Sequence, residues 1–242
     1  MRSKIFAFFL IIGCFTADLQ AGVLFSGSDG SLSASANFVY SNNILTLTLT
    51  NTSTSAVTSS NQILTGVFFD VKNVTPAATS ASATATKVIY GSAGTNVNVS
   101  SDWAYEAGGS SAPFGMAYGL SSASDGGLFS NSNTLTPGGS LATGSSVNYG
   151  ITTSGTQAQK APSWANSLIQ NSVVFTFDIP STTGFTTSDI TAVAFQYGSA
   201  LTSSDFEVLP EPSTYAGVLS ATLIALALFR PRRRENEAAT DA

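Results

Sequence analysis

Residues 44–50 read Ile-Leu-Thr-Leu-Thr-Leu-Thr, a strict alternation that puts Leu45, Leu47 and Leu49 on one side of an extended segment and the threonines on the other. Period two is the mark of a half-buried β-strand. Residues 31–40 read as the preceding strand, with Ser41-Asn42-Asn43 as the hairpin turn, since asparagine tolerates the left-handed backbone that tight hairpins need. Further runs at 66–71, 86–90, 96–100, 147–152, 172–179 and 190–197 are rich in β-branched and aromatic residues, are bounded by Gly, Asn, Ser or Pro, and predict more strands. Residues 161–170 predict one short helix. The Gly/Ser-rich stretch 107–146 predicts long loops at one end of the fold. Many short strands with turn signals between them predict an all-β fold over 22–209, an antiparallel β-sandwich with a jelly roll as one candidate arrangement, in a single domain.

Composition narrows the chemistry. Charged residues make up 10% of the chain, against about 25% in an average soluble domain. Between residues 22 and 209 only Lys72, Lys87 and Lys160 face nine carboxylates, a surface with no grip on phosphates, so no nucleic-acid partner is expected. The chain has no histidine and a single cysteine, Cys14. That excludes Ser-His-Asp and Cys-His catalysis, His-ligated metal centres and any disulfide within the chain. No cofactor and no metal are expected.

The two ends have a different character. Arg2 and Lys4 precede an almost wholly apolar run at 5–15, followed by the small residues Thr16, Ala17, Ala21 and Gly22. This is the order of a secretory signal peptide over 1–21, with cleavage after Ala21 or, as the alternative, Ala17. Ile11-Ile12-Gly13-Cys14 is an imperfect lipobox and leaves lipidation of Cys14 as a second route. At the other end, residues 213–229 form a 17-residue segment interrupted by little that is polar, about 25 Å of helix and enough for a thin bilayer. Arg230, Arg232, Arg233 and Arg234 follow it, and the positive-inside rule keeps them cytoplasmic, with a polar tail at 235–242.

Pro210-Glu211-Pro212, then Ser213-Thr214-Tyr215, the apolar segment and the arginine cluster together closely resemble the PEP-CTERM sorting signal. The resemblance implies that exosortase, an integral-membrane protease-transpeptidase of Gram-negative, exopolysaccharide-producing bacteria, is a partner. It implies Pro210, Glu211 and Pro212 as the recognition tripeptide, 213–229 as a temporary inner-membrane anchor, and the arginines as the stop signal. Two prolines hold the tripeptide extended, the form a protease or transpeptidase requires. The tail at 235–242 departs from the family, whose members commonly stop soon after the arginines. Residues 32–38, 45–52 and 64–70 also look like the first half of β-rich ectodomains of exosortase-dependent proteins, a likeness that transfers no functional residue.

The implied route is export through the secretory translocon, transient anchoring in the inner membrane, and delivery to the cell surface or extracellular matrix. The expected role is non-enzymatic, structural or interactive, in association with exopolysaccharide. The alternative is a cell-surface carbohydrate-binding module, for which Trp103, Tyr105 and Trp164 are candidates to stack on sugar rings, with Tyr118 and Tyr149 as further aromatics. A third class, a carboxylate hydrolase, rests on Asp102 and Glu106, with Trp103 and Tyr105 between them. Asp29, Asp125 and Asp205 lie beside Gly or Ser but in no run of alternating oxygen ligands, so no calcium loop is expected.

Overall fold

The alternating segment forms β3 (Ile44–Asn51), which follows β1 (Val23–Asp29) and β2 (Leu32–Ser41) in an antiparallel meander. The β2–β3 turn has two residues, Asn42 and Asn43, with φ of 52° and 67°. A positive φ at both positions is what a type I′ hairpin demands, and its twist matches the flanking strands. The computed structural model describes residues 22–72, 80–107, 115–124, 128–155, 163–179, 184–200 and 206–209. The predicted signal peptide, Pro210, Glu211, Pro212, the apolar segment 213–229, Arg230, Arg232, Arg233, Arg234 and the tail lie outside the described residues, as do Cys14, Asp125 and Asp205. Among the described residues no helix is long and apolar enough to cross a membrane.

The remaining strands are β4 (Leu64–Val71), β5 (Ala81–Ile89), β6 (Gly94–Asn98), β7 (Ala104–Ala107), β8 (Tyr118–Ser121), β9 (Ile151–Thr152), β10 (Leu168–Gln170), β11 (Ser172–Asp178), β12 (Ile190–Tyr197) and β13 (Phe206–Leu209). Described strands form one sheet in the order β1-β2-β3-β11-β5-β10-β9-β4-β12-β13, with β6 on β5, β8 on β4 and β7 on β8. Its two end strands, β1 and β13, lie close to each other, so the sheet curls back around its own core. The fold is all-β. Against the antiparallel expectation, β9 and β10 run parallel, which makes the sheet mixed.

Register explains why the inner face packs. Phe38 pairs with Leu47, Leu47 with Phe175 and Phe175 with Ala83, so one row of apolar side chains crosses four strands. Leu49, Val173 and Ala85 make the next row. All are buried, and each leucine or phenylalanine removed from water contributes about 1.5–3 kcal/mol. On the outer face the hydroxyls pair instead, as Ser82 and Thr176 do at 2.6 Å. Aromatic contacts then reach across the core, from Phe25 to Phe38 and from Phe38 to Phe69, at centroid distances of 6.0 and 5.4 Å.

β4 and β12 are buried along most of their length because both of their faces are covered. Val67, Phe69, Val193 and Phe195 point into the main core, while Phe68 and Ala194 pack outward against Met116, Phe129 and Leu141. The Gly/Ser-rich stretch therefore does more than loop at one end. Its described part supplies β8 and the apolar side chains Met116, Phe129 and Leu141 that roof the outer face of β4 and β12, which the abundance of small residues hides in the sequence.

One strand expectation and one helix expectation also shift. Within 147–152 only Ile151 and Thr152 are strand, since Gly150 N–H donates to the Val147 carbonyl and closes a turn before them. The helix expected at 161–170 is absent from the described part, which is a turn at 163–164 followed by β10. Leu168, Ile169 and Gln170 are buried between β5 and β9. There Ile169 N–H donates to the Gly150 carbonyl at 2.9 Å, and a slot within a sheet satisfies the backbone as a lone helical turn would not.

Candidate functional site

The acidic-aromatic stretch is built on a turn. Asp102 N–H donates to the Val99 carbonyl at 2.9 Å and the Ser101 hydroxyl donates to Asp102 Oδ2 at 2.9 Å. The next residue, Trp103, is fully buried and packs edge-on against Phe175 at a centroid distance of 5.0 Å. No ring face is offered to a ligand, so Trp103 is not a sugar platform; its place is the core, because β7 runs inward from the turn. Tyr105 is half-buried, stacked on Tyr118 at 6.4 Å and tilted on Phe177 at 5.4 Å. Burial, with Tyr118 and Glu106 close by, pushes its phenol up. Tyr118 in turn stacks on Phe69, so these tyrosines extend the aromatic core.

Glu106 accepts a hydrogen bond from the Asn133 amide on the neighbouring 3-10 turn, Asn131–Asn133. The two carboxylates thus take different local partners, Ser101 for Asp102 and Asn133 for Glu106. Burial raises the Asp102 carboxyl above its ordinary value, and the Ser101 hydrogen bond offsets part of the rise. A carboxyl whose folded pKa exceeds its unfolded value, about 3.9, contributes stability that is present below that pH and lost as pH rises through the folded value. Asp102→Asn keeps an acceptor for Ser101 and removes the ionisation. The variant is expected to melt above the wild type near neutral pH, with the difference closing below about pH 3.5, where both side chains are neutral. Melting curves across pH check this; a neutral-pH midpoint below the wild type would overturn it.

Trp164 stands in different surroundings. It is half-buried and lines a cleft of about 460 Å³ together with Asn148, Asn166, Ser145, Ser146 and Ser163. Below the cleft, Trp164 packs with Tyr90 on a small apolar cluster of Ile63, Val147, Ala165 and Leu168. Val147 N–H donates to the Trp164 carbonyl at 3.1 Å and Tyr149 N–H to the Ser167 carbonyl at 2.9 Å, which straps segment 147–149 to segment 164–167. Asn166 N–H donates to Asn148 Oδ1 at 2.6 Å.

The backbone around this cleft is strained. Among the described residues, six non-glycine positions have positive φ, and four of them are asparagines, Asn42, Asn43, Asn96 and Asn171. The other two are Tyr90 and Tyr149, at 64° and 57°. A bulky residue held left-handed costs on the order of 1–3 kcal/mol, and asparagine tolerates the conformation far better. Neither tyrosine lines the cleft itself, but Tyr90 packs on the cluster that Trp164 shares and Tyr149 follows the lining residue Asn148 in the chain. Gly91 follows Tyr90 with φ of 47°, and a side chain there would run into Ser167 Oγ and the Asn166 carbonyl. The β5–β6 turn is therefore pressed against the same segment.

Of the three aromatic candidates, then, one is core, one extends the core and one lines a polar cleft. The asparagines and serines beside Trp164 were not singled out by sequence reasoning. The available signal was a tryptophan and a tyrosine set among small polar residues, Ser163-Trp164-Ala165-Asn166 and Ser146-Val147-Asn148-Tyr149. Among the described residues no group of three or more Asp, Glu, Cys or His stands ready to hold a metal ion. Comparison with known proteins finds no matching family model, no matching curated protein and no matching solved structure.

Proposed function

We propose that the chain is an exported, non-enzymatic surface or matrix protein, carried through the secretory translocon, held briefly in the inner membrane and cut by an exosortase at its C-terminal signal. The observation that carries this is the order Pro210-Glu211-Pro212, a 17-residue apolar segment, then Arg230, Arg232, Arg233 and Arg234. Two features of the fold support it. Among the described residues the first strand begins at Val23 and the last ends at Leu209, bounds compatible with the two predicted processing regions in the sequence. Hydroxyl-rich outer faces and scarce charge suit a hydrated polysaccharide layer. The ectodomain is read as a sandwich, since β2 packs on β4 through Phe38 and Phe69 although the two strands are not neighbours in the sheet.

Intact-mass analysis of the protein from surface and membrane fractions of its host tests the proposal. The wild type is expected on the surface without residues 1–21 and without the region beyond the tripeptide. A Pro210→Ala/Glu211→Ala/Pro212→Ala variant is expected to stay at the inner membrane with residues 213–229 attached. Surface protein whose mass still contains that segment would make the tail a permanent anchor and end the exosortase reading.

A further inference from the structure

We infer that the Trp164 cleft is a binding site for a neutral saccharide. Among the described residues its lining is one indole, two amides, three serine hydroxyls and the Ala165 methyl, with no carboxylate and no cation. An aromatic face takes up the apolar C–H side of a sugar ring, while amides and hydroxyls exchange hydrogen bonds with its hydroxyls. A charged ligand group would be partly desolvated there with no described side chain of opposite charge to pair it, which favours a neutral ligand. At about 460 Å³ the cleft also falls in the range of small-ligand sites.

Three features show that the site is preorganised. The Trp164 indole is seated on the Ile63–Leu168 cluster, and its carbonyl is bonded to Val147 N–H. Asn148 has its Oδ1 taken by Asn166 N–H at 2.6 Å, which orients the amide with Nδ2 as its donor limb. The two left-handed tyrosines lie beside the lining residues, Tyr149 next to Asn148 in the chain and Tyr90 on the apolar cluster that Trp164 shares, and the other positive-φ non-glycine positions among the described residues are asparagines. Strain at bulky residues persists where surrounding structure over-determines it, and it concentrates at ligand clamps.

The inference deepens the surface-protein reading and rests on it only for where the saccharide is met. Sorting failure would change the mature mass and leave binding to the purified protein intact. The test uses the full-length chain in a detergent without a sugar headgroup, titrated with short β-1,3-glucan, β-1,4-glucan and α-mannan oligosaccharides and with an oligouronate. Heat and tryptophan emission are recorded together. The chain has two tryptophans, and since Trp103 is buried an emission change on binding reports Trp164.

At least one neutral oligosaccharide is expected to bind with Kd tighter than about 1 mM. Trp164→Ala is expected to weaken it about tenfold or more. Asn148→Asp keeps the acceptor for Asn166 N–H, spares the fold, and replaces the donor limb with a charged oxygen, so it too is expected to bind about tenfold more weakly. No binding by any neutral member of the panel would overturn the assignment. So would an oligouronate that binds more tightly than every neutral member, or undiminished binding by Asn148→Asp or by folded Trp164→Ala.

Discussion

Replacing Trp103 with alanine is expected to destabilise the protein by about 3–5 kcal/mol, the largest effect of any single truncation here. Trp103 is among the largest fully buried side chains and sits in the main core against Phe175. Its removal loses the transfer energy of an indole and leaves a cavity that two strongly hydrogen-bonded segments cannot collapse to fill. Trp103 N–H and C=O neighbours are tied down, since Leu135 N–H donates to the Trp103 carbonyl at 2.9 Å and Ser140 N–H to the Ser101 carbonyl at 2.9 Å. Trp103→Phe is expected to cost less, about 1–2 kcal/mol, because it keeps a ring in place and deletes an indole Nε1–H that has no hydrogen-bond partner. Denaturant unfolding of both variants checks the pair. Equal losses would mean that the buried N–H is satisfied after all, and a loss below about 1 kcal/mol for alanine would remove Trp103 from the core.

The second large effect is expected at Gly139. A methyl group built there overlaps the Ser101 carbonyl oxygen and comes within 2.8 Å of Thr134 Cβ. The obstacle is backbone, so no rotamer change relieves it. Segment 134–140 lies along segment 100–104 through bonds from Leu135 to Trp103, Thr136 to Ser100 and Ser140 to Ser101, and the added methyl pushes the two apart. Gly139→Ala is expected to cost about 3 kcal/mol, at the upper end of overpacking effects. Gly155→Ala is the control: a methyl there meets no described residue within 4 Å, and a change within about 0.5 kcal/mol is expected. Comparable losses for the two variants would show that the close approach at Gly139 is not what constrains that position.

Strands whose faces differ in polarity were legible in advance. Leu45, Leu47 and Leu49 are buried as their alternation requires, and the Asn42-Asn43 turn has the backbone its residue types favour. The run at 190–197 is β12 from end to end. Elements held by their surroundings were not legible. β5 begins at Ala81, in an Ala-Ser-Ala-Thr-Ala-Thr run whose alanines become apolar positions only because Phe175 and Phe177 lie beside them. β10 reads as helix until β5 and β9 enclose it.

The two tryptophans separate what each level of description decides. Both stand in a short polar setting and are followed by alanine, Ser101-Asp102-Trp103-Ala104 and Pro162-Ser163-Trp164-Ala165. By itself the chain determined that the fold is all-β and that histidine chemistry is absent, because each of these follows from local periodicity or composition. Which tryptophan is core and which lines a cleft was decided by tertiary structure alone. Trp103 directly precedes β7, is bonded through its carbonyl to Leu135 N–H and is buried in the main core, whereas Trp164 stands in a turn beside Asn148 and Asn166. Exposure is set by residues distant in sequence, and no local pattern encodes it.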